Sequence, residues 1–343
     1  MTQQLAGSPV DLISAKAVST SDWKNNLFGL IADELSEVEL LLKRELRSDY
    51  PYVDELVRYG CLLGGKRLRP ALLLLVAKAV GQVQPAHRTL AAVVEMIHTA
   101  TLVHDDVIDE AEKRRHIATV NSRWDNEASV LLGDFLFTHA FYLASTMPTT
   151  LACRLIGQAT NIVCEGELRQ KGQRGNQATT ESEYLSIVEA KTAELCAVSC
   201  ELGAHYAGAD EAVTRRIADY GRDLGIAFQI ADDLLDFTGD EGDTGKSLGT
   251  DLAKQRPTLP IIRLLQVAGV ADREVVGEVL RGVHEEPMSL LRPLLHKYEA
   301  LEYTRAKAVF FADRAESRLA ELSATPALVA LRKLSRFVVH RSH

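Results

Sequence analysis

The sequence predicts an all-α protein, and two observations support this fold class. Apolar residues recur at helical spacing along most of the chain, for example in the stripe formed by Leu30, Leu35, Val38, Leu41 and Leu42. The alternation of Val and Thr that is typical of strands is almost absent, and so are Asn-Gly hairpin turns. We therefore expect one large helical bundle with short connections.

The predicted helices follow one another with two longer polar loops between them. The helices are predicted at 27–46, 69–80, 87–109, 127–146, 150–170, 181–207, 210–237, 257–268, 272–282, 288–296 and 302–322. The loops cover 171–180 and 238–250, and the second is rich in Gly and Asp, as expected for a mobile flap over a site. Because no Pro/Gly/Ser linker separates two domains, we expect one all-helical domain over 23–343. A partly disordered N-terminal extension, 1–22, is expected before it.

Composition excludes several functional classes. The chain has 343 residues, of which 46% are hydrophobic and 25% charged, and its net charge of −8 argues against a nucleic-acid partner. Residues 1–21 lack the basic start and the apolar run of a secretory signal, so we expect none, and no apolar run reaches the length of about 18 residues that a membrane span requires. The five cysteines are expected to be core thiols in a reducing, cytoplasmic compartment, although Cys196 and Cys200 could also form half of a metal site.

Two copies of one aspartate pattern are the most informative feature. The stretches 104–109 (HDDVID) and 231–236 (ADDLLD) each place two adjacent aspartates and a third one helical turn later. At about 100° per residue, the first and last aspartates of each copy lie within roughly 40° of each other on a helix. Carboxylates grouped in apolar segments repel one another and lose hydration, which is tolerated only beside positive charge. Two facing clusters would therefore hold divalent cations, and through them a phosphorylated substrate.

A basic turn that contains glycine, GGKRLRP at 64–70, is the second feature. The glycines allow close backbone approach, Lys66 and the arginines are donors, and Pro70 suits the first turn of a helix. Taken alone, this turn fits a solvated basic loop equally well. Beside the aspartate clusters, a pocket for a doubly charged phosphate group is the better interpretation.

Other polar residues lie near these motifs in the sequence. Arg114 and Arg115 follow Asp109 closely. They could either bind an anion or pair with Glu110 and Glu112, which lie between Asp109 and the two arginines. Lys191 and Thr192 lie within an apolar helix, where a buried lysine needs a counter-charge such as a diphosphate. Gln229 precedes Asp232 by about one turn. Lys246 comes from the predicted flap and Arg256 from the start of the next helix.

Two histidines have competing interpretations. His98 lies about two turns before Asp105, on the same helix face, which would place it on the cavity wall. A lone histidine is, however, more often a satisfied core residue. His104 beside Asp105 imitates the His-Asp pair of metal phosphohydrolases, but the further histidines that such a site needs at helical spacing are missing.

With these motifs in order, the chain resembles the trans-isoprenyl diphosphate synthases, specifically the long-chain polyprenyl (octaprenyl-type) branch. The resemblance runs from about residue 27 to the C-terminus. Besides the motifs above, it rests on LLGDFL at 131–136, AKTAEL at 190–195, FQIADDLLD at 228–236, GKSLGTDL at 245–252 and RPTLP at 256–260. Arg256 stands where the family usually has lysine, and residues 253–255 (AKQ) stand where an acidic residue and glycine are more usual.

The resemblance implies about a dozen mostly antiparallel helices around a deep central cavity, usually in a homodimer. It implies three Mg²⁺ ions that bridge an allylic diphosphate to the aspartates, with Asp105, Asp109 and Asp232 as ligands and Asp106, Asp233 and Asp236 in support. The residues implied to face the allylic diphosphate are Arg114, Lys191, Thr192, Gln229, Lys246 and Arg256. Those implied to hold isopentenyl diphosphate are Lys66, Arg69, His98 and Arg115.

The reaction implied is repeated condensation of isopentenyl diphosphate onto an allylic diphosphate such as farnesyl diphosphate. Ionisation leaves an allylic cation, the double bond attacks it and a proton departs, so no side-chain nucleophile is needed. A short-chain (geranylgeranyl) synthase is the alternative. A class I terpene cyclase would carry a different second metal motif, and a non-catalytic regulatory subunit would lose aspartates or the basic turn.

Product length is predicted from two small residues before the first aspartate motif. Short-chain relatives typically hold bulky aromatic residues at the places of Ala100 and Thr101, where they block the tunnel. The small side chains here predict a product from hexaprenyl to nonaprenyl, with Phe141 and Ile156 as candidates for the tunnel floor. Ala100 could, alternatively, simply pack against a neighbouring helix. A peripheral membrane contact for product release is also expected.

Overall fold

The computed structural model describes residues 28–340 except 63, 64, 66, 115, 240–248 and 285, together with all side chains in these ranges but those of Leu62 and Thr250. The described chain is almost entirely helical, which confirms the predicted all-α class. The predicted extension at 1–22 lies outside the described residues, and so does most of the predicted flap.

The helices alternate with short connections over the whole described chain. They are α1 (Ala32–Glu45), α2 (Pro51–Leu62), α3 (Leu68–Val80), α4 (Pro85–Ile108), α5 (Val120–Arg123), α6 (Asn126–Ser145), α7 (Leu151–Gly172), α8 (Glu181–Val188), α9 (Glu194–Tyr206), α10 (Glu211–Thr238), α11 (Thr250–Ala253), α12 (Leu259–Val267), α13 (Val270–Leu280), α14 (Pro287–Lys297), α15 (Ala300–Arg318) and α16 (Pro326–His340). The sequence-based prediction omitted α2, α5, α11 and α16.

A two-stranded hairpin follows α4. Strands β1 (Lys113–Arg114) and β2 (Ile117–Ala118) are antiparallel, with Arg114 opposite Ile117. His116 in the turn between them has a φ of 65°, which is the left-handed conformation that tight turns require. The hairpin directs the chain back beneath the C-terminal end of α4, so that Arg114 returns to the first aspartate motif.

Two long helices, α4 and α10, carry the two aspartate motifs and are largely buried. Helix α4 packs against α3 and α6, whereas α10 packs against α9 and α15. The N-terminus of α10 is capped by Asp210, whose Oδ1 accepts a hydrogen bond of 2.8 Å from the backbone N–H of Val213. One large apolar core joins these helices, and a smaller second core lies beneath the C-terminal end of α10, around Phe237, Ile261, Leu280 and Leu291.

A π-helical turn, π1 (Glu189–Ala193), joins α8 to α9, where the sequence predicted one uninterrupted helix. Its two sides are approached by glycines of neighbouring helices. A Cβ atom on Gly166 of α7 would lie 2.9 Å from Cβ of Ala190, and one on Gly225 of α10 would lie 2.6 Å from Cα of Ala193. Since real Cβ atoms essentially never come this close, both positions must lack a side chain for the turn to fit. Short π segments of this kind occur frequently at functional sites.

Helix α6 is the helix of the described chain that is long and apolar enough to cross a membrane, by length and composition only. Because 44% of its most apolar window is buried within the protein, much of it against α4, we interpret it as a core helix. All five cysteines are free thiols. The prediction of core thiols holds for Cys196 and Cys200, but Cys164 is exposed.

Candidate active site

The first aspartate motif occupies the end of α4, and its three carboxylates have different environments. Asp105 and Asp109 are half-buried, whereas Asp106 is fully buried. Burial raises the pKa of Asp105 to about 6, and the nearby carboxylates of Glu167 and Asp109 act in the same direction. A further positive charge near Asp105 would stabilise the ionised form of its carboxylate.

Asp106 is paired with the arginine that the hairpin brings back. Nη2 of Arg114 lies 2.8 Å from Oδ1 of Asp106, and Nε donates to both of its carboxylate oxygens at 3.0 and 3.1 Å. This buried, charge-assisted pair fixes the hairpin against α4. Asp106 was predicted to support the metal ligands and Arg114 to bind the diphosphate. In the structure the two side chains pair with each other, and both roles stay predictions.

Asp109 lies among three cations from two later segments. Lys254 Nζ is 2.9 Å from Oδ2, Arg256 Nη2 is 2.5 Å from Oδ1, and Arg174 Nη2 is 3.3 Å from Oδ1. Burial raises the pKa of Asp109, but the hydrogen bond from Lys254 and the charge of Arg256 outweigh it, so that the net pKa is below its usual value. Asp109 is therefore an anion at neutral pH.

The second aspartate motif lies near the end of α10. Its fully buried member, Asp233, accepts hydrogen bonds from Tyr184 Oη at 2.6 Å and from Gln229 Nε2 at 2.8 Å. Burial raises the pKa of Asp233 well above its usual value, and the charges of Asp251 and Asp232 add to this effect. Asp232 is half-buried, and Asp236 accepts a hydrogen bond of 3.1 Å from the backbone N–H of Asp251.

Lys191 and Thr192 both lie in π1 and both point to the space between the motifs. Lys191 Nζ is 2.6 Å from Glu167 Oε1, 3.0 Å from Gln170 Oε1 and 3.9 Å from Asp105 Oδ2. Thr192 Oγ1 donates to Gln229 Oε1 at 2.9 Å. Within the protein, Glu167 supplies a counter-charge for this lysine, and no motif in the sequence singled out Glu167.

Two chains of contacts connect the motifs across the site. On one side, Lys191 lies near Asp105, and its neighbour Thr192 reaches Asp233 through Gln229. On the other side, Arg256 bridges Asp109 and Asp251, and the backbone N–H of Asp251 donates to Asp236 of the second motif. A cavity of about 80 Å³ lies between them, and its lining includes Gln170, Tyr184, Lys191, Thr192, Gln229, Asp233, Asp251 and Arg256. The structure therefore brings together four of the residues predicted to face the allylic diphosphate.

Part of the basic turn at 64–70 is visible beside α3. Arg67 has a φ of 52°, and its guanidinium forms ion pairs with Glu39 and with buried Glu95. These ion pairs give Arg67 a structural role. Arg69, in the first turn of α3, is half-buried, and its Nε has no hydrogen-bond partner among the described residues. His98 is half-buried on α4. The predicted ligands Lys66, Arg115 and Lys246 lie outside the described residues.

The predicted chain-length residues lie on α4 before the first motif. Ala100 is fully buried within the main core, and Thr101 is half-buried and donates from Oγ1 to the carbonyl oxygen of His98 at 2.8 Å. The candidate floor residues come from helices further along the chain: Phe141 from α6 is half-buried, and Ile156 from α7 is fully buried.

Sequence reasoning missed five residues that contact the aspartate motifs or Lys191: Glu167, Gln170, Arg174, Tyr184 and Lys254. Tyr184 could have been found, because it lies about two turns before Lys191 on the predicted helix. Arg174 belongs to the polar loop 171–180, and nothing in its local sequence indicates that this loop contacts Asp109.

The carboxylates present fit a divalent cation such as Mg²⁺, although no three acidic, His or Cys side chains of the described chain converge on one point. Mg²⁺ commonly keeps several waters and is held by one or two carboxylates together with substrate phosphates, which does not require an all-protein cage. Half-buried Asp105, whose pKa is raised first by burial and then by the nearby carboxylates of Glu167 and Asp109, is suited to this mode of binding.

Comparison with known proteins agrees with this geometry. The polyprenyl synthetase family profile matches residues 50–294. The octaprenyl diphosphate synthase of Escherichia coli K12 is 36% identical over 318 residues, which cover 91% of this chain and 97% of that protein.

Two solved structures have the same all-helical fold. A decaprenyl diphosphate synthase from Rhodobacter capsulatus superposes with a TM-score of 0.89 at 37% identity, covering 93% of this chain and 99% of that one. A polyprenyl synthase from Caulobacter crescentus CB15, complexed with calcium and isoprenyl diphosphate, gives a TM-score of 0.88 at 34% identity, covering 93% and 98%.

Proposed function

We propose that this chain, which belongs to the polyprenyl synthetase family and is a prenyltransferase, adds isopentenyl diphosphate repeatedly to an allylic diphosphate. The product that it releases is a long-chain all-trans polyprenyl diphosphate. The observation that carries this proposal is the connection of the two aspartate motifs around one cavity, on one side through Lys191 and its neighbour Thr192 and on the other through Arg256 and Asp251. Carboxylates and cations that alternate around a cavity suit a metal-bound diphosphate.

Asp105, Asp109 and Asp232 would hold Mg²⁺, three ions in all, with Asp106, Asp233 and Asp236 in support. When bound, the ions supply positive charge that stabilises the diphosphate as it departs. The Caulobacter synthase, whose structure contains calcium and isoprenyl diphosphate, supports this assignment.

The protein's own cations would complete the diphosphate sites. Lys191, Thr192, Gln229 and Arg256 are grouped around the cavity and would bind the allylic diphosphate, together with Arg114 and Lys246. Arg69 and His98, with Lys66 and Arg115, would bind isopentenyl diphosphate. The unpartnered, buried Nε of Arg69 supports a role for it as an anion donor.

In the reaction, the carbon–oxygen bond of the allylic diphosphate breaks and its electron pair leaves with the diphosphate. The double bond of isopentenyl diphosphate then forms the new carbon–carbon bond, and a proton passes to the released diphosphate. Lys191 would hold the departing oxygens in place, since its ammonium lies beside Asp105 and on the cavity wall. The reaction requires that water be excluded, because water would otherwise capture the cation.

The proposed product lies in the hexaprenyl to nonaprenyl range. It rests on the small side chains of Ala100 and Thr101, with Phe141 and Ile156 as candidates for the floor. The starter is an allylic diphosphate such as farnesyl diphosphate, and a shorter geranylgeranyl product is the alternative.

We also propose that the enzyme is a cytoplasmic homodimer with a peripheral membrane contact for product release. Helix α6 supports the dimer, because Val130, Leu131 and Tyr142 are exposed on it to 44, 59 and 62% respectively. A second copy of the same helix would cover these side chains.

Incubation of the purified protein with farnesyl diphosphate, labelled isopentenyl diphosphate and Mg²⁺ tests the proposal, with product sizing by chromatography. We expect a polyprenyl diphosphate longer than geranylgeranyl, and no product in EDTA. A cyclised hydrocarbon would instead indicate a terpene cyclase, and binding without turnover would indicate a regulatory subunit.

Two aspartate variants on the same helix test the metal assignment. Asp232→Ala should lower turnover by about three powers of ten or more, because it removes a metal ligand. Asp223→Ala is the control: Asp223 is buried on α10 and pairs with Arg314 and Arg318, so it should affect stability and leave the activity of the folded enzyme unchanged. Equal turnover in the Asp232 variant and the wild type would exclude the assignment.

A further inference from the structure

Asp109 lies among more positive charge than one carboxylate can neutralise. Lys254, Arg256 and Arg174 all contact it, and Arg256 has Asp251 as a second acidic neighbour at 3.6 Å. The Nε atoms of Arg174 and Arg256 are both buried without a hydrogen-bond partner among the described residues. This group of three cations therefore retains two buried donors that no described residue accepts.

The two segments that supply these cations are joined to each other. The backbone N–H of Gly175 donates to the carbonyl oxygen of Gln255 at 2.8 Å, so that the residues beside Arg174 and Lys254 are held together. Gln255 has a φ of 54° and Gly175 a φ of 70°, and both are left-handed turn conformations. Their neighbours Lys254 and Arg174 both contact Asp109. A ligand at Asp109 would consequently meet Arg174 and Lys254 together.

We propose that Lys254 and Arg174 are diphosphate-binding residues that occupy Asp109 until divalent ions and a diphosphate arrive together. This inference rests on the proposed function and extends it to two residues that the sequence motifs did not include. The ligand class is a diphosphate carried with a divalent cation.

Charge is the reason for the exchange. A divalent ion on Asp109 would lie within a few ångströms of three cations, which is unfavourable unless an anion enters at the same time. A diphosphate supplies that anion and accepts the donors that leave Asp109. Metal and diphosphate thus strengthen each other's binding, whereas Lys254 and Arg174 oppose the binding of metal alone.

The test uses two binding measurements on the full chain, neither of which depends on turnover. Mn²⁺ binding without diphosphate is measured by electron paramagnetic resonance. Binding of inorganic pyrophosphate in saturating Mg²⁺ is measured by calorimetry. The variants are Lys254→Gln and Arg174→Gln, with Lys254→Arg to restore the charge. Lys171→Gln is the matched control, because it removes an exposed positive charge from the same part of the chain as Arg174.

We expect opposite changes in the two measurements. Each neutral variant should bind pyrophosphate about tenfold more weakly, because it loses a charge-assisted hydrogen bond. It should bind Mn²⁺ alone about tenfold more tightly, because a competing cation has gone. Lys254→Arg should restore both values towards the wild type, and the Lys171 variant should change neither.

Unchanged pyrophosphate affinity, or a loss of affinity for both ligands, would overturn the inference, since a merely structural role weakens both together. A wild-type protein that binds no pyrophosphate in Mg²⁺ would overturn the proposed function too. A wild type that binds pyrophosphate and elongates prenyl chains, beside variants that bind it equally well, would leave the function intact and overturn this inference alone.

Discussion

Tyr184 of α8 donates a hydrogen bond of 2.6 Å to Oδ2 of Asp233 on α10, and both side chains are buried. The bond fixes the central carboxylate of the second motif from outside its own helix. We expect Tyr184→Phe to lower kcat by about tenfold. Loss of a hydrogen-bond donor to a buried carboxylate costs about 1–3 kcal/mol, and the carboxylate of Asp233 would move to find another donor. Turnover and Mn²⁺ binding should fall together.

Tyr220→Phe is the control for this substitution. Tyr220 is also buried, and its hydroxyl donates a hydrogen bond of 2.9 Å to the carbonyl oxygen of Leu331. Both variants should melt at a lower temperature than the wild type, but only the Tyr184 variant should lose activity per folded molecule. Full activity in Tyr184→Phe would mean that Gln229 alone positions Asp233.

Gly225 allows α10 to approach the π turn that carries Lys191. Because a Cβ atom would lie 2.6 Å from the backbone of Ala193, Gly225→Ala must push π1 away from α10. Lys191 and Thr192 would move with it, and a displacement of about 1 Å can lower a rate by about a hundredfold. We expect kcat to fall while the helical circular dichroism is retained.

Gly221→Ala is matched to that variant, one turn earlier on α10. Its Cβ would lie 2.6 Å from the carbonyl oxygen of Cys196, so the steric conflict is equally severe but is directed at α9 instead of π1. It should reduce thermal stability as much as Gly225→Ala and leave the rate of the folded enzyme near that of the wild type. Equal rate losses in both would exclude a specific effect on Lys191.

Ala100 is fully buried on α4, at the place proposed to limit the product. Ala100→Phe fills space below the first aspartate motif and removes no ligand. We therefore expect shorter products, towards farnesyl or geranylgeranyl diphosphate, with turnover retained. Ala100→Ser, which adds little volume, should keep the long product. Chromatography of the dephosphorylated products distinguishes the two, and an unchanged length in Ala100→Phe would locate the limit elsewhere.

Glu181 at the start of α8 accepts hydrogen bonds from Lys307 and Tyr303 of α15. Burial raises its pKa, but Lys307 and Tyr303 outweigh burial, so the net pKa lies below the ordinary value of 4.5. A lowered pKa means that the pair stabilises the fold above pH 4.5 and that this contribution is lost as the pH falls through the folded-state pKa.

Glu181→Gln should therefore melt about 1–2 °C below the wild type at neutral pH, as expected for a partly exposed ion pair. The difference should disappear at an acidic pH below the folded-state pKa of Glu181, where the carboxyl is protonated in both states. Glu302→Gln, at an exposed position of α15, should show no difference at either pH. A constant difference at both values would mean that the charge of Glu181 is not responsible.

The helices of the core could be predicted because burial imposes a periodicity that a sequence displays. Helix α16 shows it too, in Leu328, Leu331 and Val338, and could have been included. The π turn could not be predicted, since it depends on the close approach of Gly166 and Gly225 from two other helices. A periodic pattern within the segment itself contains no information about those neighbours.

The residues of the site also differ in whether the sequence alone could reveal them. Asp105, Lys191 and Gln229 stand out because charged or polar side chains interrupt apolar helices. Arg174 and Lys254 come from polar loops, where positive charge is ordinary, so only the fold shows that both contact Asp109.

The π turn also determines how α8 and α9 respond to a change of chain length. A π turn accommodates one residue more than an α turn, so a chain lacking one residue of 189–193 could continue as a regular α-helix from α8 into α9. Because the extra residue is taken up within the turn, the side chains of α9 would keep about the same direction relative to α8. A single in-frame codon loss in this segment would thus leave α9 in register with its neighbours and remove the local bulge that carries Lys191, so that it would alter the site and not the fold.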